Sequence, residues 1–155
     1  MIPDLKKSIV KCERANPSIK ITLFVGTLTE YIASSMGRDL IGKFDVVAAL
    51  LVLCSVPDPV ASSVKECESM LKKPGGKFIY VEHVQGRNSM HRFAQKAYQP
   101  IWNLLGDGCQ LCRDTQSAIS AQFAPTKGWA NVQSTEGYMM AGAFPIICGV
   151  CEAKA

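Results

Sequence analysis

The sequence predicts an α/β fold: a parallel sheet with helices on both faces and an antiparallel strand pair at the C-terminus. Three observations carry that reading. Val46 to Leu53 is continuously apolar, which suits a strand covered on both faces, because a strand covered on one face alternates. After it come an amphipathic helix and a second strand, Lys77 to Val84, through short connections. Strand–helix–strand with such links makes a right-handed parallel crossover. Two β-rich segments, Ala130 to Thr135 and Ile146 to Cys151, flank a "GYMMAGAFP" connection and are expected to pair antiparallel.

The elements follow in order. "PDLKKSIVKCERANP" puts Leu5, Ile9 and Cys12 on one helical face and stops at Pro17. Ile19 to Val25 is rich in β-branched residues, ends at Gly26 and reads as a strand. A short helix is expected between Tyr31 and Leu40. After the apolar run, Asp58 is a helix N-cap and Pro59 suits the first helical position. Val60, Val64, Cys67 and Leu71 then recur on one face, and Lys72 and Lys73 suit the negative end of the helix dipole. "PGG" at 74–76 ends that helix. Ser89 to Leu105 has Met90, Phe93, Ala97, Ile101 and Leu104 in register, with a kink expected at Pro100. "RDTQSAISAQF" is a shorter helix.

Composition narrows the function classes. With 48% apolar and 19% charged residues, the 155-residue chain is globular and long enough for one domain with a real core. Its net charge of +4 comes from scattered residues, with no basic stripe, which argues against a nucleic-acid binder. The N-terminal segment has no apolar core of a secretory signal, and the apolar run is about half the ~20 residues a bilayer needs. Seven cysteines, several inside apolar segments, favour reduced thiols on the cytoplasmic side over a disulfide framework.

In open α/β sheets, ligands bind beyond the carboxyl ends of the strands. Glu30 follows the first expected strand's turn, as an acceptor for a bound base or as a capping carboxylate. Glu82 and His83 end a central strand. His83 is either a proton acceptor for a nucleophile or a hydrogen-bonded structural histidine. Only one of the two can face a given pocket, because neighbouring strand residues point opposite ways. Cys109/Cys112 and Cys148/Cys151 form two CxxC units, yet their separation and the strand placement of the second argue against a zinc ribbon, and no metal is expected. Gly106-Asp-Gly108 follows a helix, and no G-x-G-x-x-G fingerprint occurs.

"FDVVAALLVLCSVPDP", an amphipathic helix and "LKKPGGKFIYVEHV" together resemble strand 4, helix D and strand 5 of class I S-adenosylmethionine-dependent methyltransferases, in the type 11 pattern. "LVLCSV", "EHV" and "PIWNLLGDGCQLCRD" narrow the resemblance to the methyltransferase-like 7 family, whose members resemble thiol S-methyltransferases. "LKKPGG" carries one residue more than the family's usual form. The resemblance implies a Rossmann-like sheet, S-adenosylmethionine as cofactor and a small thiol or other small lipophilic methyl acceptor. It places Thr29 and Glu30 near the adenine, and Ala49, Leu50, Leu51 and Ser55 along the cofactor. It places Glu82 and His83 where methyl donor and acceptor meet, with His83 as base. Trp102, Asp107 and Cys109 would shape the acceptor pocket.

The same resemblance implies that residues 1–155 are one partial domain, lacking strands 1 and 2, the glycine-rich loop and the ribose-binding acid. Weak cofactor binding and an open edge on the Val46 strand are therefore expected. The family's endoplasmic reticulum or lipid-droplet association would depend on an N-terminal segment that is not expected here. Two other readings remain: a non-catalytic remnant that pairs with a protein partner through that edge, and an unrelated α/β binding or metal module.

Overall fold

The computed structural model describes residues 2–57, 59–106, 108–139 and 144–154. Helix α1 (Ile2–Ala15) comes first, followed by the short helices α2 (Leu28–Ala33) and α3 (Ser35–Arg38). Then come β1 (Val46–Leu50), α4 (Val60–Met70), β2 (Lys77–His83), α5 (Ser89–Leu105), α6 (Thr115–Gln122), β3 (Trp129–Met139) and β4 (Phe144–Ala153). The described strands form one sheet of order β1-β2-β4-β3. β1 and β2 are parallel, as the crossover predicts, and β4 pairs antiparallel with both β2 and β3. The connection at 140–143 lies outside the described residues. Among those residues, no helix is long and apolar enough to cross a membrane.

The core sits between the sheet and helices α4 and α6. Val64 and Cys67 of α4, and Ile119 of α6 with Phe123 at its end, pack on Ala49, Phe78, Tyr80 and Ile147. Phe78 stacks on Phe123 at 4.6 Å, and Phe123 meets Trp129 edge-on at 4.5 Å. The predicted face of α4 is the packed one: Val64, Cys67 and Leu71 are buried and Val60 partly so. Each such side chain contributes about 1.5–3 kcal/mol when fully buried. Pro59 is the N-cap of α4 rather than its first residue, and the Asp58 cap lies outside the described residues.

Several expectations need correction. Ile19 to Val25 is not a strand: it is irregular, and Val25 is 68% exposed. A strand stands only where a neighbour takes its backbone groups, and among the described residues none lies beside it. β1 is not covered on both faces. Val47 is half-buried and Ala49 buried, while Val46, Ala48 and Leu50 are exposed, and the strand lies at the sheet edge. It also stops three residues early, because Leu51 takes a left-handed turn at φ 55°. Helix α5 runs through Pro100 to Leu105, but its predicted apolar face points outward: Met90, Phe93 and Leu104 are 78%, 75% and 85% exposed. Its other face carries the contacts. The Gln95 amide accepts from Gly86 N and donates to Val84 O, and the Gln99 amide accepts from Leu111 N and donates to Cys109 O.

Candidate active site

The site begins with the turn that ends β1. Leu51 N still donates to Val81 O at 2.7 Å, and its left-handed backbone then turns the next three N–H groups inward. Successive N–H groups around such a residue make an anion-binding concavity. Here the anion is protein. Glu82, fully buried, accepts from Val52 N and Leu53 N at 3.0 Å through Oε1 and from Cys54 N at 3.3 Å through Oε2. Arg113 closes the same loop from the other side, with Nη1 donating to Leu53 O at 2.9 Å and Val56 O at 2.8 Å. Glu82 is therefore a loop anchor. Its carboxylate oxygens already hold the backbone.

His83 points the other way, as the strand alternation requires. Its Nδ1 lies 3.9 Å from Cys54 Sγ and 3.5 Å from Cys109 Sγ, and the two sulfurs are 3.2 Å apart. All three residues are buried. Ser55 Oγ lies 3.6 Å from Cys54 Sγ. Trp102 meets the His83 ring edge-on at 6.2 Å and stacks on Phe144 at 4.6 Å, forming an apolar wall. The Cys109 thiol donates to Cys54 Sγ. The contact with Cys54 lowers the Cys109 thiol below its ordinary range, while the same contact and burial raise Cys54. Asp107 lies outside the described residues. Cys112 is half-buried and Cys151 is part of the core, so the two CxxC units do not meet among the described residues.

A cleft of about 400 Å³ opens between the α2 turn, β1 and α4. Thr27, Thr29, Ala49, Val52, Leu53 and Val56 are among its lining residues. Thr29 Oγ1 donates to Glu66 Oε1 at 2.7 Å. Glu30 does not face it as expected. Its Oε2 accepts from Thr27 N at 2.7 Å in a capping box that starts α2, and this holds its carboxyl below the usual range. Leu50 and Leu51 are 58% and 44% exposed and are not among the cleft's lining residues. Of the expected residues, then, Thr29 and Ala49 meet in the cleft, and Ser55, His83, Trp102 and Cys109 meet in the cluster. Cys54 and Arg113 were missed as site residues. Cys54 directly follows the apolar run and lies within the "LVLCSV" motif.

No protein-family model matches the chain. It is 32% identical over 127 residues to the thiol S-methyltransferase TMT1A of Homo sapiens, covering 81% of this chain and 50% of that protein. It is 33% identical over 124 residues to TMT1B of Rattus norvegicus, covering 79% and 48%. The chain thus spans about half the length of the curated relatives it matches. Among solved structures, a putative sarcosine dimethylglycine methyltransferase from Galdieria sulphuraria superimposes with a TM-score of 0.62 at 12% identity, over 96% of this chain and 65% of that one. The [4+2]-cyclase SpnF gives 0.56 at 12% identity, over 94% and 61%. The parallel β1-α4-β2 unit, the antiparallel C-terminal pair and these likenesses define a class I S-adenosylmethionine-dependent methyltransferase fold. Within that class the chain resembles the thiol S-methyltransferase TMT1 family.

Proposed function

We propose that this chain carries the acceptor side and part of the cofactor side of a methyltransferase whose substrate is a small thiol. One observation carries the reading. The loop after β1, at the carboxyl end of a parallel strand, where open α/β sheets bind ligands, supplies Leu53 and Val56 to an apolar cleft and Cys54 to the buried His83–cysteine cluster. The cleft volume lies within the roughly 300–1,000 Å³ of small-molecule sites, so S-adenosylmethionine fits it in size. Thr29 and Ala49 would lie along the adenosyl group. The bound cofactor supplies an electrophilic methyl group on a sulfonium.

The chain's own residues do the rest. The apolar wall of Trp102 and Phe144 excludes water from an acceptor. A thiol acceptor must ionise first, because the thiolate is the nucleophile. The His83 imidazole would take that proton, and the thiolate would bond in line to the sulfonium's methyl carbon as its bond to the cofactor sulfur breaks, leaving a methyl thioether and S-adenosylhomocysteine. Holding the two reactants in line supplies much of the rate. These residues alone are proposed to hold the cofactor weakly, because the outer edge of β1 has no strand beside it among the described residues.

The test supplies millimolar methyl-labelled S-adenosylmethionine and small thiol, amine and alcohol acceptors in parallel. The expected outcome is slow transfer to the thiol only, reduced at least tenfold in His83→Ala, with the pH profile altered. Transfer to amines or alcohols alone, or a His83→Ala rate and pH profile equal to wild type, would overturn it.

A further inference from the structure

We propose that Cys54, His83 and Cys109 form a binding site for a soft, tetrahedral divalent cation of the zinc type. Three separate segments bring the ligands together: the loop after β1, the end of β2 and the turn after α5. Their ligand atoms all lie within 4.8 Å of one another. A tetrahedral zinc with Zn–S near 2.3 Å and Zn–N near 2.0–2.1 Å would set the two sulfurs ~3.8 Å apart and each sulfur ~3.6 Å from the nitrogen. The observed separations are 3.2 Å for the sulfurs and 3.5 and 3.9 Å to Nδ1. Each pair therefore reaches the metal geometry by moving ~0.6 Å or less. Joining the sulfurs in a disulfide would require closing them to ~2.05 Å, a larger movement.

The backbone around the ligands is already fixed. Cys54 N is held by Glu82, and Cys54 O accepts from Gln110 N at 2.9 Å. Cys109 N donates to Gly106 O at 2.9 Å, and Cys109 O accepts from the Gln99 amide at 2.9 Å. Little order remains to be imposed on binding, which favours affinity. Two thiolates and a neutral imidazole balance a divalent charge, so the buried site is neutral when filled. Two sulfurs and one imidazole select zinc over magnesium or calcium, which take oxygen ligands.

Three protein ligands leave one tetrahedral position, as in catalytic rather than structural zinc sites.

The test uses the reduced, metal-free protein and Co²⁺ alone, displaced afterwards by Zn²⁺, without cofactor or acceptor. The expected result is one equivalent bound, with thiolate-to-cobalt charge-transfer absorption and tetrahedral d–d bands. Cys54→Ser and Cys109→Ser should each weaken binding at least tenfold, while Cys148→Ser leaves it unchanged. X-ray absorption on the zinc-loaded wild type should find two sulfurs and one imidazole nitrogen, which keeps the test valid if a variant misfolds. No charge-transfer band, a band that survives the double Cys54→Ser, Cys109→Ser change, or four sulfur neighbours would overturn the proposal. Because no methyl transfer is measured, failure here leaves the methyltransferase reading standing, and failure of that reading leaves this site standing.

Discussion

Glu82 gives the sharpest test of how the site is built. Glu82→Ala deletes a buried carboxylate that accepts three backbone N–H groups, at 3.0, 3.0 and 3.3 Å. Hydrogen bonds to a charged group contribute ~1.5–3 kcal/mol each, and an orphaned buried donor costs a further ~1–3 kcal/mol. The terms do not add fully, since Val52 is exposed and its N–H can turn to water. The expected loss is therefore about 3–5 kcal/mol, a large part of the ~5–15 kcal/mol that stabilises a domain. Glu82→Gln separates the contributions. Its carbonyl keeps the two bonds of Oε1, while its NH₂ faces the Cys54 N–H, donor against donor. Only the longest bond is lost, so the expected cost is about 1–2 kcal/mol. Urea unfolding followed by circular dichroism measures both. The reasoning fails if Glu82→Ala falls within about 0.5 kcal/mol of wild type, as an exposed substitution would. It fails equally if Glu82→Gln costs as much as Glu82→Ala.

Two further outcomes follow from the same packing. Gln95→Leu keeps the volume of a side chain 1% exposed but leaves Gly86 N–H and Val84 C=O without partners, and should cost about 1–3 kcal/mol in the same urea assay; no change would mean that water replaces the amide. Partial burial pushes the Glu68 carboxyl up, but Lys73 Nζ at 2.6 Å and the Gln122 amide outweigh it and hold the group below its usual 4.5. A depressed carboxylate stabilises the fold above its unfolded value and loses that stabilisation as pH falls through the folded one. The stability gap between wild type and Glu68→Gln should thus be present at pH 7 and close below about pH 4, and a gap that widened on acidification would reverse the sign of the argument.

The sequence was most informative where one element carries its own signal. The 3-4 spacing of Val60, Val64, Cys67 and Leu71 marks the packed face of α4, and Phe78 and Tyr80 alternate into the core from β2. It misled where the answer depends on neighbours. Ile19 to Val25 has strand residues but no strand beside it among those described, and the apolar face of α5 is exposed while Gln95, Gln99 and Trp102 make contacts from its other face. Periodicity shows which residues share a face, not which face is covered. The site was half legible. The strand-end rule singled out His83 and the family resemblance singled out Cys109, which lie together in the buried cluster, and the resemblance also named Thr29 and Ala49, which line the cleft. The union of Cys54 with His83 and Cys109 joins residues 29 and 26 positions from the histidine, which no local spacing announces. Glu82 holds a loop, and a carboxylate at a strand end looks the same in sequence whether it faces a ligand or a loop.

The most direct measurement is a titration of S-adenosylhomocysteine into the isotope-labelled protein, read as backbone amide shifts. The account predicts saturable shifts at Thr27, Thr29, Ala49 and Val52, with half-saturation well above the micromolar range. Shifts confined to other surfaces, or none at millimolar ligand, would show that the cleft beside β1 is not the cofactor site. Micromolar affinity would contradict the claim that these residues alone hold the cofactor weakly.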